Sequence, residues 1–191
     1  MVARLPDTEE TLLLVDENDE VLGPAPKLET HRSGQLHRAF SVFLFDEMGD
    51  TLIQRRADVK YHSRGKWANS CCGHPRPGEA IDVAATRRVM EELGLEVELN
   101  YGFTSRYCAQ LDNEMIENEF VHLLFGRVTK TPAPHPDEVS EYAFVSMGDL
   151  RSHIAASAEP YAVWLVHYVT HHFDELNEMA KRIQIGRATT S

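Results

Sequence analysis

Gly73, Glu79, Arg87, Glu91, Glu92 and Gly94 stand in the order Gly-x5-Glu-x7-Arg-x3-Glu-Glu-x-Gly. Carboxylates grouped this way on a helix suit a divalent cation, and a cation held there suits phosphate oxygens. Arg88 interrupts the acidic set with a guanidinium, which binds phosphate rather than metal. On a helix Arg88 and Glu92 are four apart and share a face, so one cleft could receive both. His31, His37, His74, Glu117 and Glu119 form a second group. Imidazole nitrogens and carboxylate oxygens suit Zn²⁺, Mn²⁺ or Mg²⁺, and these five with a water or substrate oxygen would complete an octahedral shell. If Ile116 to Leu124 is extended, Glu117 and Glu119 project to one side. No single spacing among these is specific, and His31 and His37 taken alone read as surface polar residues.

A scaffold must bring these groups together. Thr11 to Asp16, the turn Asp16-Glu17-Asn18-Asp19 and Val21-Leu22-Gly23 predict an N-terminal hairpin. Arg38 to Asp46 and Thr51 to Arg55 flank Glu47-Met48-Gly49-Asp50 and predict a second. The unbroken apolar run of Arg38 to Asp46 marks a central strand covered on both faces. A helix is expected from Pro77-Gly78-Glu79, with Ile81, Ala84, Ala85, Val89 and Leu93 on its apolar side and Gly94 ending it. Val97 to Arg106, Phe120 to Thr129 and Tyr142 to Val145 read as strands, with Pro132, Pro134 and Pro136 marking a loop before the last. Tyr161 to Ile185 repeats apolar residues at helical spacing and predicts one helix packed on the sheet. The expectation is an α/β or α+β fold, a mixed β-sheet sandwiched between α-helices in a single domain over residues 1–191.

Composition excludes several classes. At 191 residues one core can bury most of its apolar surface. No apolar run approaches the roughly 20 residues that span a bilayer, and no basic-then-apolar leader opens the chain, so a soluble cytoplasmic protein is expected. Three cysteines, two adjacent, make no simple disulfide framework and fit a reducing compartment. A net charge of −11 argues against nucleic acid and anionic membranes as partners. An anionic substrate would then need metal ions and clustered basic side chains. Arginine outnumbers lysine by 14 to 5 in an acidic chain, a balance compatible with adaptation to high salt.

The spacing from Gly73 to Gly94 resembles a Nudix box in which Arg88 replaces a glutamate used by pyrophosphate-hydrolysing members. With Leu36 to Phe45, Asn69-Ser70-Cys71-Cys72-Gly73-His74-Pro75 and Glu117-Asn118-Glu119, the chain resembles the type I isopentenyl-diphosphate isomerases. The matches run from about Lys27 to Glu119 and continue weakly to Trp164. The resemblance implies a Nudix fold and a site of three histidines and two glutamates, His31, His37, His74, Glu117 and Glu119, holding one divalent ion. It implies Cys72 and Glu119 as the proton-exchanging pair, with Tyr107 orienting Glu119. Trp164 is expected to cover a carbocation through its quadrupole, with Trp67 as a competing candidate. Lys27, Arg56, Lys60 and Arg88 match the family's diphosphate-binding positions, and Glu92 would hold a Mg²⁺ that also meets the diphosphate. The expected partner is a small-molecule diphosphate, and the protein a monomer or weak homodimer. Two other readings stay open at this point: a Nudix hydrolase of a nucleoside diphosphate derivative, and a non-catalytic Nudix module that binds a ligand.

Overall fold

The computed structural model describes residues 10–60, 62–111 and 114–185, and the side chains of all but 184 and 185. The residues in which a leader would lie fall outside this description. Strand β3 (His37–Phe45) is the axis of the sheet because both of its faces are apolar. Ala39, Phe43 and Phe45 point to one side, and Phe40, Val42 and Leu44 to the other. β8 (Ile116–Arg127) runs parallel along one edge of β3. β6 (Cys71–Gly73) runs antiparallel along the other, with β1 (Thr11–Val15) and β4 (Thr51–Arg56) touching the two ends. The mixed sheet is completed by β2 (Val21–Pro26) on β1, β5 (Trp67–Ala68) and β9 (Val139–Val145) on β4, and β7 (Leu99–Gln110) antiparallel to β8.

Helices cover both faces, as the two apolar sides of β3 require. α2 (Ile81–Leu93) sets Ala84, Ala85, Val89 and Leu93 against Phe40, Val42 and Leu44. α3 (Met147–Ala156), α4 (Val163–His171) and α5 (Phe173–Ile185) set Leu150, Leu165, Tyr168 and Leu176 against Phe43, Phe45, Val121 and Phe125. α1 (Lys27–Ser33) is a short helix that joins β2 to the turn before β3. No helix among the described residues is long and apolar enough to cross a membrane.

Several boundaries differ from the sequence reading. α2 begins at Ile81, after the Pro77-Gly78-Glu79 turn, and Gly94 ends it at φ 64° with its N–H on the Met90 carbonyl. β7 and β8 pair from Leu99 to Gln110 and from Ile116 to Gly126, so ladder partners extend both strands beyond their apolar stretches. The C-terminal apolar stretch is two helices. The chain leaves helical geometry at His172, whose Nε2 and that of His167 stand 2.8 and 3.0 Å from Ser105 Oγ on β7, which holds the bend to the sheet. α3 was not foreseen. Its start is marked by Ser146, whose hydroxyl accepts from the Asp149 N–H.

Gly102 sits at a register shift in β7, packed against the Phe125 ring. A Cβ there would stand 2.1 Å from Cε2 of Phe125. Gly102→Ala is expected to cost about 1–3 kcal/mol of stability through overpacking. It should appear as a lower urea midpoint at unchanged slope, and an unmoved midpoint would show that the Phe125 ring yields freely.

Candidate active site

The strand registers assemble the first part of the site. Parallel pairing sets His37 of β3 opposite Glu119 of β8, and antiparallel pairing sets Tyr107 of β7 opposite the same Glu119. Tyr107 Oη donates to Glu119 Oε2 at 2.7 Å. His74, just past β6, brings Nε2 to 3.0 Å from Oε1, and His37 Nε2 stands 3.6 Å from it. Two residues earlier on the same face of β8, Glu117 Oε2 lies 3.5 Å from His31 Nε2 and 4.0 Å from His37 Nε2. His31 and His37 place Nδ1 on backbone carbonyls, those of Lys27 at 2.8 Å and Gln35 at 2.9 Å. With the proton on Nδ1, each Nε2 lone pair faces the carboxylates.

One ligand atom from each of His31, His37, His74 and Glu117 lies within 4.8 Å of the others, so this group could hold a metal ion. His37 Nε2 and Glu117 Oε2 are buried and make no hydrogen bond among the described residues. Buried polar atoms that converge without partners fit a cation. Burial, reinforced by His37, Lys27 and His31, holds His74 well below the ordinary histidine range, in the neutral form a ligand needs. Glu119 borders the group through His37 and His74. His62, which the sequence reading did not single out as a site residue, stands 3.7 Å from Glu117 Oε1.

Alternation along β6 separates the adjacent cysteines. Cys71 is buried in the core under α2, while Cys72 packs on the α4 side. Cys72 Sγ donates to Asn69 Oδ1 at 3.0 Å and lies 3.4 Å from Ser41 Oγ, itself 3.0 Å from Tyr168 Oη. Asn69 is held in turn by donating to the Val42 and Cys71 carbonyls. Burial pushes the Cys72 thiol up to about 12, the Ser41 bond opposing and the Glu119 charge adding to it. Burial would also raise Glu119, but the neighbouring His37, 3.6 Å away, together with Glu117 and the Tyr107 hydrogen bond, reverses this and leaves it below the usual carboxylate range. At neutral pH the thiol therefore keeps its proton while the carboxylate can accept one.

Both groups line a cavity of ≈ 220 Å³, together with His74, Tyr107, Glu117 and Trp164. Trp164 is 4% exposed. Its ring carries the Arg56 guanidinium carbon 5.2 Å from the centroid and meets the His62 ring edge to face at 5.9 Å. Trp67 does not line the cavity. Its backbone bonds Pro160 and Ala162, and its side chain packs on the core.

Lys27, Arg56, Lys60 and Arg88, with Glu92, give the same cavity a cationic wall. Lys27 pairs with Glu10 at 2.5 Å and Lys60 with Glu138 at 2.7 Å. Arg88 is held by Glu91 at 2.8 Å, Glu92 at 2.5 Å and Glu138 at 3.3 Å. The second Glu92 oxygen accepts from Gln54 Nε2 at 2.8 Å. Both Glu92 oxygens are thus engaged by protein donors, and Glu92 is not part of the His31, His37, His74 and Glu117 group that could hold a metal ion. Arg87 instead braces the helix to its preceding turn, bidentate to Glu79 at 2.7 and 2.9 Å and bonded to Glu91. Sequence reasoning missed Ser41, Gln54, Glu138 and Tyr168. For Ser41 there was a signal, a hydroxyl inside the apolar run of β3.

The NUDIX domain family model matches residues 35–165. Isopentenyl-diphosphate Delta-isomerase 2 of Photorhabdus laumondii is 47% identical over 156 residues, which cover 82% of this chain and 88% of that protein. Isopentenyl-diphosphate Delta-isomerase of Streptomyces griseus is 50% identical over 158 residues, 81% of this chain and 79% of that protein. The chain belongs to the isopentenyl-diphosphate Delta-isomerase family. Its fold is the Nudix fold, shared with the solved DR0079 of Deinococcus radiodurans at a TM-score of 0.70 and 23% identity, over 84% of this chain and 98% of that one. Of the cavity and ligand residues expected from the sequence of this family member, Lys27 and His31 precede the matched NUDIX span and the others fall within it.

Proposed function

We propose that this enzyme interconverts isopentenyl and dimethylallyl diphosphate at the entry to isoprenoid synthesis. The observation that carries the reading is that the Cys72 thiol, the Glu119 carboxylate and the Trp164 indole border one cavity that Lys27, Arg56, Lys60 and Arg88 also line. Moving the double bond inward requires a proton added at the terminal alkene carbon and one removed from the carbon nearer the diphosphate. Cys72 and Glu119 exchange these protons, and Tyr107 holds Glu119 in place. Protonation leaves a tertiary carbocation, which Trp164 faces with its negative quadrupole while the buried walls exclude water. Lys27, Arg56, Lys60 and Arg88 bind the diphosphate. His31, His37, His74, Glu117 and Glu119 would hold one divalent ion, Zn²⁺, Mn²⁺ or Mg²⁺, and Glu92 a Mg²⁺, the ions supplying positive charge to Glu119 and to the diphosphate respectively. The cysteines stand free, in keeping with a reducing cytosol. The enzyme works as a monomer or weak homodimer.

Hydrolysis of a nucleoside diphosphate derivative is disfavoured because Arg88 occupies the place of the missing glutamate and is itself bound to carboxylates. A silent binding module has no use for a paired acid and base. Proton NMR of isopentenyl diphosphate with the enzyme and Mg²⁺ in D₂O tests the proposal. Deuterated dimethylallyl diphosphate is expected, and no conversion with Mg²⁺, Mn²⁺ or Zn²⁺ would overturn it.

A further inference from the structure

Glu138 lies behind the cationic wall and is not among the residues lining the cavity. It is 4% exposed, and a carboxylate that deep is stabilised there by charged partners. Those partners are Lys60 Nζ at 2.7 Å and Arg88 Nη2 at 3.3 Å. The two cations come from separate elements, Lys60 from the segment after β4 and Arg88 from α2. The backbone around Glu138 is tied to both. Ala57 N–H donates to the Glu138 carbonyl at 3.0 Å, and the Glu138 N–H donates to the His135 carbonyl at 2.9 Å. His135 N–H and Ala133 N–H donate to the Glu92 and Leu93 carbonyls at the end of α2, at 2.9 and 2.8 Å.

We propose that Glu138 is the positioning residue of the diphosphate subsite, locking Lys60 and Arg88 side by side so that substrate meets them already ordered and charged. The inference rests on reading the cationic wall as that subsite. Ordering two long side chains before binding removes an entropy cost that the substrate would otherwise bear. Arg88 has Glu91 and Glu92 as further anchors, so Lys60 depends more heavily on Glu138. Burial holds the Lys60 ammonium below its ordinary range, with Glu138 opposing, Arg56 adding and Glu92 opposing. Removing the Glu138 charge lowers it further, so the Lys60 proton leaves earlier as pH rises.

The test is Glu138→Gln in the full-length enzyme, assayed with isopentenyl diphosphate and Mg²⁺ from about pH 7 to about pH 9. KM is expected to rise about tenfold at neutral pH with kcat changed much less. KM should also climb more steeply with pH than in the unaltered enzyme. Glu138→Asp, which keeps the charge but is one methylene too short to hold the Lys60 contact, should flatten that climb while leaving KM raised at neutral pH. In a Lys60→Met background Glu138→Gln should add much less than it does alone, because the two residues act as a pair. If Glu138→Gln does not fold, competition by inorganic diphosphate against Glu138→Asp decides. A weaker inhibition constant with kcat kept supports the proposal, and an unchanged constant overturns it. An unchanged KM and pH profile in Glu138→Gln, or a loss confined to kcat, also overturns it. Unaltered enzyme that neither binds inorganic diphosphate nor converts isopentenyl diphosphate would instead sink the reading of the subsite on which it rests.

Discussion

Replacing Cys72 by alanine is expected to slow turnover by about 10³–10⁴-fold, the range for loss of a positioned acid or base, without unfolding the protein. The side chain packs at the margin of the larger core, and its removal leaves Asn69 Oδ1 without the thiol donor, a loss of about 1 kcal/mol. Asn69 itself stays fixed by its two bonds to backbone carbonyls. Circular dichroism and thermal melting should therefore be nearly unchanged, and binding of inorganic diphosphate retained, while deuterium incorporation in D₂O disappears. Turnover near that of the unaltered enzyme would move the reacting group elsewhere, since Cys71 faces the opposite core and cannot substitute.

Glu119→Gln should be as damaging to kcat, again by about 10³–10⁴-fold, for a reason that metal analysis can isolate. The amide keeps the shape of the carboxylate and can still accept from Tyr107, but it neither takes nor releases a proton at neutral pH. The group that converges within 4.8 Å is His31, His37, His74 and Glu117. Glu119→Gln is therefore expected to retain metal after dialysis at reduced affinity, whereas Glu117→Gln should lose it. Elemental analysis of the two variants checks this. Complete metal loss from Glu119→Gln alone would make Glu119 chiefly a ligand and leave the second proton-exchanging group unassigned.

The parts of this molecule that were legible beforehand are those where burial writes a period into the residues. β3 is covered on both faces and so reads as an unbroken apolar run, and α2 buries one stripe and so repeats at helical spacing. Glu117 and Glu119 share a face because a strand has period two, and that could be deduced before any partner was known. α1 left no such trace, because the residues it buries are Lys27, Thr30 and His31, which carry no apolar signal. The bend at His172 is imposed by Ser105 on a distant strand. Glu138 stands beside a proline-rich loop, and its importance comes from two cations that only the folded chain brings to it. The registers that bring Cys72, His74, Tyr107, Glu117, Glu119 and Trp164 to one cavity are tertiary facts, which no spacing along the chain spells out.

The parallel pairing of β3 with β8 has a kinetic consequence. Parallel neighbours cannot be joined by a tight turn, and here His37 to Phe45 pair with Glu119 to Arg127, with several strands and a helix between them in the chain. Closing such loops costs entropy before any contact offsets it, so these pairings are slow steps in folding. A slip of β8 by one residue would turn Glu117 and Glu119 to the other face while preserving a sheet. The nascent chain thus gains its ion-binding capacity only after β3 and β8 have met in register. Activity recovered on refolding therefore counts correctly registered molecules, not merely those that have regained their secondary structure.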